Sequence, residues 1–244
     1  MKKYYYDLHI HSCLSPCGDD ESTPDSIAGM GELNGLEIMA LCDHNTLKNC
    51  PAFFKAAKRH NILAIAGTEL TTSEDIHAIC LFPNLKSGME FDKELCRHRM
   101  KIPNRADIFG NQLIMDENDN VIGTDEFLLS VATDISLEDA PKLVESFGGI
   151  CYPAHIDRDS NGVIAVLGSF PSDDGFVCAE VHFKEKLDEM SDISGLPKEK
   201  LVVSSDAHFL WDISEKENFM LLPEIPKDAD NAGEYVIKYL KEQL

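Results

Sequence analysis

The sequence has few basic side chains. Its 22 lysine and arginine residues are outnumbered by 43 acidic ones, and the formal net charge is −21. Charge of this sign opposes binding to a polyanion, and no stripe of basic residues with interleaved aromatics relieves the repulsion. We therefore do not expect a protein that binds nucleic acid nonspecifically. An enzyme that takes a short nucleotide stays open, because bound divalent cations would locally reverse the field.

The sequence also lacks apolar targeting segments. No signal-peptide core follows Met1-Lys2-Lys3, and no stretch approaches the roughly 18 apolar residues of a membrane span. We expect a cytoplasmic protein without membrane association. Its eight cysteines are scattered, and several lie in apolar runs, which is typical of buried thiols in a reducing compartment rather than of a disulfide framework.

What is present favours one large α/β domain. The 244 residues are 43% hydrophobic and 27% charged, without repeats, linkers or low-complexity tracts. Short apolar segments alternate with helical patterns, which predicts βα units in a largely parallel sheet or barrel. We expect a single domain over residues 1–244, in which the less regular segment 84–135 is an insertion that covers one face.

The turn and cap residues place the individual elements. Thr23-Pro24 predicts the start of a helix that ends near residue 34, since threonine caps helices and proline is tolerated in the first turn. An Asp/Asn-rich turn at 116–120 predicts a small hairpin within segment 84–135. Further helices are predicted at 50–60, before 148 and at 229–241. The predicted strands lie at about 4–11, 36–42, 62–66, 76–82, 150–154, 177–181 and 201–205.

Metal-binding residue types recur where these strands end or begin. His9 and His11 point to the same side of the first strand, because side chains alternate along a strand. Alone, that pair is equally typical of two ordinary histidines near a terminus. In a parallel βα array, however, the carboxyl ends of all strands meet at one face. The other strand edges offer His44, Glu69, His77, His155 and the motif Asp206-Ala207-His208.

Three histidines fit this pattern less well. His60 is expected at an exposed helix end, and His98 lies between two arginines on the predicted insertion. His182 follows the strand at 177–181, so it could face the pocket, either beside the ligands or in contact with substrate.

The ordered motifs resemble the PHP family, the polymerase and histidinol phosphatase superfamily of metal-dependent phosphoesterases. They run from residue 7 to residue 208, so the resemblance covers nearly the whole chain. The resembling segments are Asp7-Leu8-His9-Ile10-His11-Ser12, Thr23-Pro24, Asp43-His44-Asn45, Gly67-Thr68-Glu69, His77, Pro153-Ala154-His155 and Ser205-Asp206-Ala207-His208.

The resemblance implies a distorted (β/α)7 barrel with an insertion after the fourth strand. It also implies two or three divalent metal ions, for which zinc, manganese and iron are all compatible with mixed nitrogen and oxygen ligands. Carried over by residue, one ion would be held by His9, His11, Glu69 and Asp206. A second would be held by Glu69, His77 and His155. A third would be held by His44, His208 and one further donor.

That further donor is where the sequence departs from the family pattern. Many relatives have a histidine or aspartate in the loop after the first motif, whereas this loop reads Ser12-Cys13-Leu14-Ser15-Pro16-Cys17-Gly18-Asp19-Asp20. Cys17 occupies the spacing of the usual histidine in one branch, and a thiolate is a competent ligand for zinc or iron. Asp20, or its neighbour Asp19, is the alternative.

These residues predict hydrolysis of a phosphoric ester by a metal-activated water. Asp206 would orient the water, while His208 or His44 would lie near the leaving oxygen. Arg158, three residues after His155, could clamp a phosphate, although in Asp157-Arg158-Asp159 it could equally be a neutralised surface residue. Arg99 and Arg105 are weaker candidates for that contact.

Three functions follow from this interpretation. The first is a phosphoesterase for a small phosphorylated metabolite, such as a nucleotide or nucleoside bisphosphate. The second is an exonuclease acting on short RNA or DNA ends. The third is a non-catalytic metal-binding module, which the intact set of recognisable ligands disfavours. The sequence leaves the substrate, the metals and the oligomeric state open.

Overall fold

A curled, mixed β-sheet organises the chain in the computed structural model, which describes residues 1–172 and 175–242. Its strands are β1 (Lys2–Ile10), β2 (Ile38–Leu41), β3 (Leu63–Thr71), β4 (His77–Phe82), β5 (Leu113–Met115), β6 (Val121–Thr124), β7 (Ile150–Pro153), β8 (Ala179–Val181), β9 (Leu201–Val203) and β10 (Phe219–Leu222). Its helices are α1 (Pro24–Leu33), α2 (Cys50–Arg59), α3 (Leu85–His98), α4 (Ala106–Phe109), α5 (Ala140–Ser146), α6 (Val163–Leu167), α7 (Leu187–Ser194) and α8 (Ala232–Glu242).

The main sheet is more antiparallel than the sequence predicts. Its strand order is β10-β1-β2-β3-β4-β7. Strands β1, β2 and β3 are parallel, whereas β4 is antiparallel to both β3 and β7, and β10 is antiparallel to β1. The expectation of a largely parallel sheet is therefore wrong here. Only residues 72–76 join β3 to β4, and a connection this short permits a hairpin but no parallel crossover.

A parallel pair, β8 and β9, continues the curl between β7 and β1. After β7, the Ile156 N–H donates to the Glu180 carbonyl at 2.9 Å. After β9, the Ala207 carbonyl accepts from the His11 N–H, also at 2.9 Å. The result is a half-barrel consistent with the predicted α/β barrel class, while the count of seven strands stays a prediction.

Apolar clusters on the two faces of the sheet hold it in shape. One cluster contains Ile27 and Phe53, which pack α1 and α2 against alternate strand residues such as Leu41. The other contains Leu8 and Val236, and brings α8 against β3, β4 and β10. The side chains of these buried positions alternate between the clusters along β2, as the period of a strand requires.

Most predicted elements are confirmed, with shifted ends. Helix α1 begins after Thr23, whose hydroxyl accepts from the Ser26 N–H at 3.4 Å as the cap pattern indicates. The hairpin of β5 and β6 forms around the predicted turn. Strand β3 extends to Thr71 rather than ending at 66, so that Glu69 lies within the strand.

Segment 84–135 packs over the loops that follow β1 and β2. It contains α3, α4 and the predicted hairpin of β5 and β6. The Leu113 N–H donates to the Cys13 carbonyl at 2.9 Å, and the side chain of Asn45 donates to the Leu129 carbonyl at 2.7 Å. These contacts agree with a covering role, although its status as an insertion in a single domain stays a prediction.

Two further features of the described residues concern membrane-spanning helices and disulfide bonds. Within residues 1–172 and 175–242, every helix is too short or too polar to cross a bilayer. The eight cysteines, all within the described residues, are free thiols, and six of them are buried.

Candidate metal centre

The predicted metal ligands converge at one edge of the curled sheet. The parallel strands β1, β2, β7 and β9 deliver His11, His44, His155 and Asp206 from their carboxyl ends. His77 comes from the start of β4, and it reaches the same edge because β4 runs antiparallel to β3. The reversal of β4, which the sequence did not predict, thus completes the cluster.

Glu69 lies at the centre of this cluster and is buried. Five imidazole nitrogens lie 2.8 to 3.6 Å from its two carboxylate oxygens. From nearest to farthest they belong to His77 (2.8 Å), His44 and His155 (3.0 Å each), His11 (3.3 Å) and His9 (3.6 Å). One carboxylate cannot accept a well-aligned hydrogen bond from five rings, whereas it can bridge cations that those rings ligate.

A second convergence involves Asp206. Its Oδ1 lies 3.2 Å from the Nε2 of His9 and 3.1 Å from the Nε2 of His11, and the two Nε2 atoms are 3.0 Å apart. Together with Glu69, these side chains form a buried group of four whose ligand atoms all lie within 4.8 Å of one another. They are the four residues assigned above to the first ion.

The geometry of the cluster fits cations better than direct hydrogen bonds. The Nδ1 of His44 is buried and 3.0 Å from the Glu69 carboxylate, yet it has no hydrogen-bond partner. An unpartnered buried polar atom is costly, and a metal ion would satisfy it. The donor set of imidazoles and carboxylates suits zinc, manganese and iron.

The other donor groups differ in detail from the carried-over sets. Among the described residues, Glu69, His77 and His44 have ligand atoms that all lie within 4.8 Å of one another. His155 contacts Glu69 but belongs to no such group. The ligand atoms of His44, His208 and His11 form another such group. The side chains thus come together as the sequence suggests, with His44 placed between the second and third candidate positions.

A second layer, which the sequence analysis missed, orients the first two histidines. The buried carboxylate of Glu180 on β8 accepts from the Nδ1 of His9 at 2.9 Å, and also from the His155 N–H at 3.1 Å. This bond leaves the His9 Nε2 lone pair directed at the centre. The signal in the sequence was a lone acid inside the apolar run Val177-Cys178-Ala179-Glu180-Val181.

His11 is oriented through a relay. Its Nδ1 lies 2.9 Å from the Ser15 hydroxyl, which itself donates to the Asp43 carboxylate at 2.8 Å. The relay fixes the ring with Nε2 facing the ligand group. Asp43 also accepts from the Ser12 N–H, so the loop after β1 is tied to the loop after β2.

Two ligand positions have an unusual backbone. His155 has φ 27° and Asp206 has φ 51°, values that residues with a Cβ atom adopt rarely. Such conformations cost free energy and persist where the surrounding structure enforces them, often at functional sites.

The loop after β1 places its two candidate donors differently. Desolvation by its surroundings would raise the pKa of the Cys17 thiol, but the neighbouring imidazoles of His44 and His208 lower that pKa to about 5. The carboxylate of Asp20 is exposed and accepts from the side chain of Asn111 at 2.7 Å. Cys17 is thus the loop donor beside these histidines, but the compact group of His11, His44 and His208 does not include it, and the choice between Cys17 and Asp20 stays a prediction.

Arg158 and His182 line a cleft of about 760 Å³ that opens beside the cluster. The guanidinium of Arg158 donates to the Asp206 carboxylate, so it stands directly over the candidate ligands. His182 is fixed through its backbone N–H, which donates to Asp157 at 2.8 Å, while its Nδ1 is buried without a partner. The weaker arginine candidates point elsewhere, since Arg99 pairs with Asp125 and Arg105 with Asp107.

The electrostatics of the cluster are strongly coupled. Burial alone would raise the pKa of Glu69, but the surrounding imidazoles, led by His77, hold that pKa well below its usual value. Conversely, burial would lower the pKa of His9, whereas Glu180, Asp206 and Glu69 raise it well above its usual value. Deprotonated carboxylates and positive charge are therefore the stable combination here, which is the condition that favours bound cations.

Comparisons with protein-family models and with curated proteins each match part of the chain. The PHP domain model matches residues 7–146. A 5'-3' exoribonuclease of Haemophilus influenzae is 33% identical over 88 residues, which are 36% of this chain and 29% of that protein. This chain therefore matches less than a third of the exoribonuclease.

Solved structures share the fold at low sequence identity. A lesion-specific endonuclease from Pyrococcus furiosus superposes with a TM-score of 0.69 at 16% identity, covering 99% of this chain and 56% of that one. An amidohydrolase from Chromobacterium violaceum, solved with bound sulfate and no metal, gives a TM-score of 0.59 at 20% identity, covering 88% and 91%.

Proposed function

This chain belongs to the PHP domain family, and we propose that it is a metal-dependent phosphoesterase acting on a small phosphorylated metabolite, such as a nucleotide or nucleoside bisphosphate. The observation that carries the proposal is Glu69, a buried carboxylate with five imidazoles within 3.6 Å. A cluster of this kind at the edge of a cleft has the donors for two or three divalent ions.

The candidate ligand sets follow from the groups described above. His9, His11, Glu69 and Asp206 would hold one ion, and Glu69 would also serve a second with His77 and either His44 or His155. Cys17 and His208 would complete a third position. When bound, these ions would lower the pKa of a coordinated water and neutralise phosphate oxygens.

The remaining chemistry would come from residues at the cleft. Arg158 is placed to bind phosphate oxygens with its forked guanidinium. His208 donates from Nδ1 to the Asp206 carbonyl at 2.8 Å, which leaves Nε2 either to ligate an ion or, when the ring carries a second proton on Nε2, to give that proton to the leaving oxygen. Asp206, between Arg158 and the histidines, would orient the attacking water.

An exonuclease acting on short RNA or DNA ends is the second candidate. Its support is the partial similarity to the H. influenzae exoribonuclease. The net charge of −21 favours the small metabolite instead, because long strands would be repelled. A non-catalytic metal-binding module is the third candidate, and the complete ligand cluster disfavours it.

The test is a substrate screen on protein reconstituted with zinc, manganese or iron and checked by elemental analysis. We expect release of phosphate from small phosphorylated metabolites, and loss of both hydrolysis and bound metal in Asp206→Asn and His9→Ala. Shortening of single-stranded oligonucleotides, with mononucleotides left intact, would instead establish the exonuclease. Bound metal without hydrolysis of any phosphate ester would indicate the non-catalytic module.

A further inference from the structure

Two solvent-exposed aromatic rings stack on each other at one side of the cleft. The rings of Phe209 and Trp211 have centroids 4.9 Å apart and an interplanar angle of 15°. Phe209 is 37% exposed and Trp211, the only tryptophan in the chain, is 73% exposed. Large aromatic surfaces are usually buried, so a stacked pair with a free face is a candidate binding surface.

The turn that carries this pair is anchored on both sides. Phe209 directly follows the candidate ligand His208, and the Asp212 N–H donates to the Phe209 carbonyl at 3.0 Å. The buried Ile213 fixes the next position in the core. The Ser214 N–H then donates to the buried carboxylate of Asp7 at 3.0 Å. The rings are therefore presented on a firm support rather than on a loose loop.

Phe209 connects the pair to the proposed phosphate site, whereas Trp211 lies outside the cleft lining and stacks on Phe209. Phe209 lines the same 760 Å³ cleft as Arg158 and Asp206, and a further ring, that of Phe183, lines it as well. A molecule whose phosphate lies at Arg158 would extend along this cleft past aromatic side chains. Aromatic side chains along the cleft favour a flat, apolar group over a free sugar, because face-to-face stacking is strongest with a planar partner.

We propose that Phe209 and Trp211 form a stacking platform for the nucleobase of the substrate, an inference that rests on the proposed phosphoesterase function. Base stacking adds affinity without a basic groove, which suits a chain with so much negative charge. The base belongs either to a free nucleotide or to the end of a short single strand, and both sources present the same π-face.

Because Trp211 is the only tryptophan, its fluorescence reports base binding independently of hydrolysis. Metal-reconstituted protein is titrated with adenosine 5'-monophosphate, a short single-stranded oligonucleotide and ribose 5-phosphate while the fluorescence of Trp211 is recorded. We expect saturable quenching by base-containing ligands and none by ribose 5-phosphate. Quenching by the mononucleotide alone assigns the platform to free nucleotides, and stronger quenching by the oligonucleotide assigns it to strand ends. Equal quenching by ribose 5-phosphate would overturn the platform.

Variants that keep apolar bulk but remove the ring provide the kinetic test. Phe209→Leu and Trp211→Leu should each raise the KM for a nucleotide by about 10-fold, relative to any change in the KM of ribose 5-phosphate, which has no aromatic ring to stack. Phe219→Leu, which removes a ring of similar exposure outside the cleft lining, should change neither value. Equal increases in both KM values would overturn the platform.

Two further outcomes separate the possible failures. If no phosphate ester is hydrolysed but nucleotides still quench Trp211, the platform stands and the proposed function fails. If Trp211→Leu abolishes a concentration-dependent self-association while nucleotide binding is unchanged, the exposed rings form a contact between copies of the chain and the platform is overturned.

Discussion

The floor and the rim of the candidate metal centre are built in different ways. The floor comprises Glu69 and the five imidazoles around it, whose side chains are at most 14% exposed and stand on strands or immediately beyond them. The rim comprises Cys17, Arg158 and His208, which lie on the loops after β1, β7 and β9. Their side chains are far more accessible, with Arg158 35% and His208 24% exposed.

The supports of the two regions differ as well. In the floor, Glu180 orients His9, and a relay through Ser15 orients His11. In the rim, Arg158 contacts the Asp206 carboxylate, a group that candidate ions would share. The difference indicates that the floor is organised in advance to hold cations, whereas the rim can adjust to substrate. Floor substitutions should therefore cost the ions that the floor holds, whereas rim substitutions should leave those ions bound.

The largest effect is expected from Glu69→Gln in the floor. The substitution keeps the side-chain volume but removes the charge that faces five imidazoles, so the cluster should no longer retain its ions. Turnover of the best phosphate ester should fall by about 10³-fold or more, together with metal content by elemental analysis. Glu74→Gln, a substitution at an acid in the turn between β3 and β4, is the control. Full metal content in Glu69→Gln would show that Glu69 is not a ligand.

A smaller effect is expected from Glu180→Gln, which acts through His9. The amide oxygen of glutamine can still accept both hydrogen bonds, but it lacks the charge that makes the His9 ring a stronger donor. Metal affinity should fall by about 10- to 100-fold, measured by competition with a chelator, and added metal should restore turnover. The matched control is Glu189→Gln on the exposed face of α7. Unrestored turnover at saturating metal would contradict a role limited to orientation.

The floor was largely predictable from the sequence, for a physical reason. Its ligands are close to strand ends, and the apolar runs that mark strands also mark where they stop. Glu180 escaped prediction because a buried acid within a strand has no local signal that distinguishes an orienting partner from any other buried charge. The reversal of β4 escaped as well, although the predicted connection between β3 and β4, residues 67–75, was already too short for a parallel crossover.

The rim was less predictable because loop conformation is set by distant contacts. Sequence spacing left Cys17 and Asp20 as equal candidates. Their separation depends on hydrogen bonds such as that from the Asp19 N–H to the His208 carbonyl at 2.9 Å, which joins segments nearly 190 residues apart. Segment 84–135 likewise showed its hairpin in the sequence but not its contacts with the loops after β1 and β2.

A moderate effect is expected from Arg158→Ala in the rim. Removing a guanidinium that binds phosphate should raise the KM of the best substrate by about 10-fold, while bound metal stays unchanged. Arg105→Ala, at an exposed arginine that pairs only with Asp107 among the described residues, is the control. Loss of metal in Arg158→Ala, with an unaltered KM at restored metal, would place this residue with the floor.

The smallest effect on turnover is expected from Cys17→Ser. The reactivity of the Cys17 thiol in the unsubstituted protein is a more sensitive test of its role. Because neighbouring imidazoles lower the pKa of Cys17 to about 5, its thiol is ionised at neutral pH in the metal-free protein. The rate of alkylation by iodoacetamide should therefore be half-maximal near pH 5 and level by about pH 7, whereas the rate for an ordinary thiol is half-maximal near pH 8.5. Zinc should protect Cys17, and the Asp20→Asn variant should retain that protection. Unchanged alkylation in the presence of zinc, or protection lost in Asp20→Asn, would assign the third position to the acidic end of the loop.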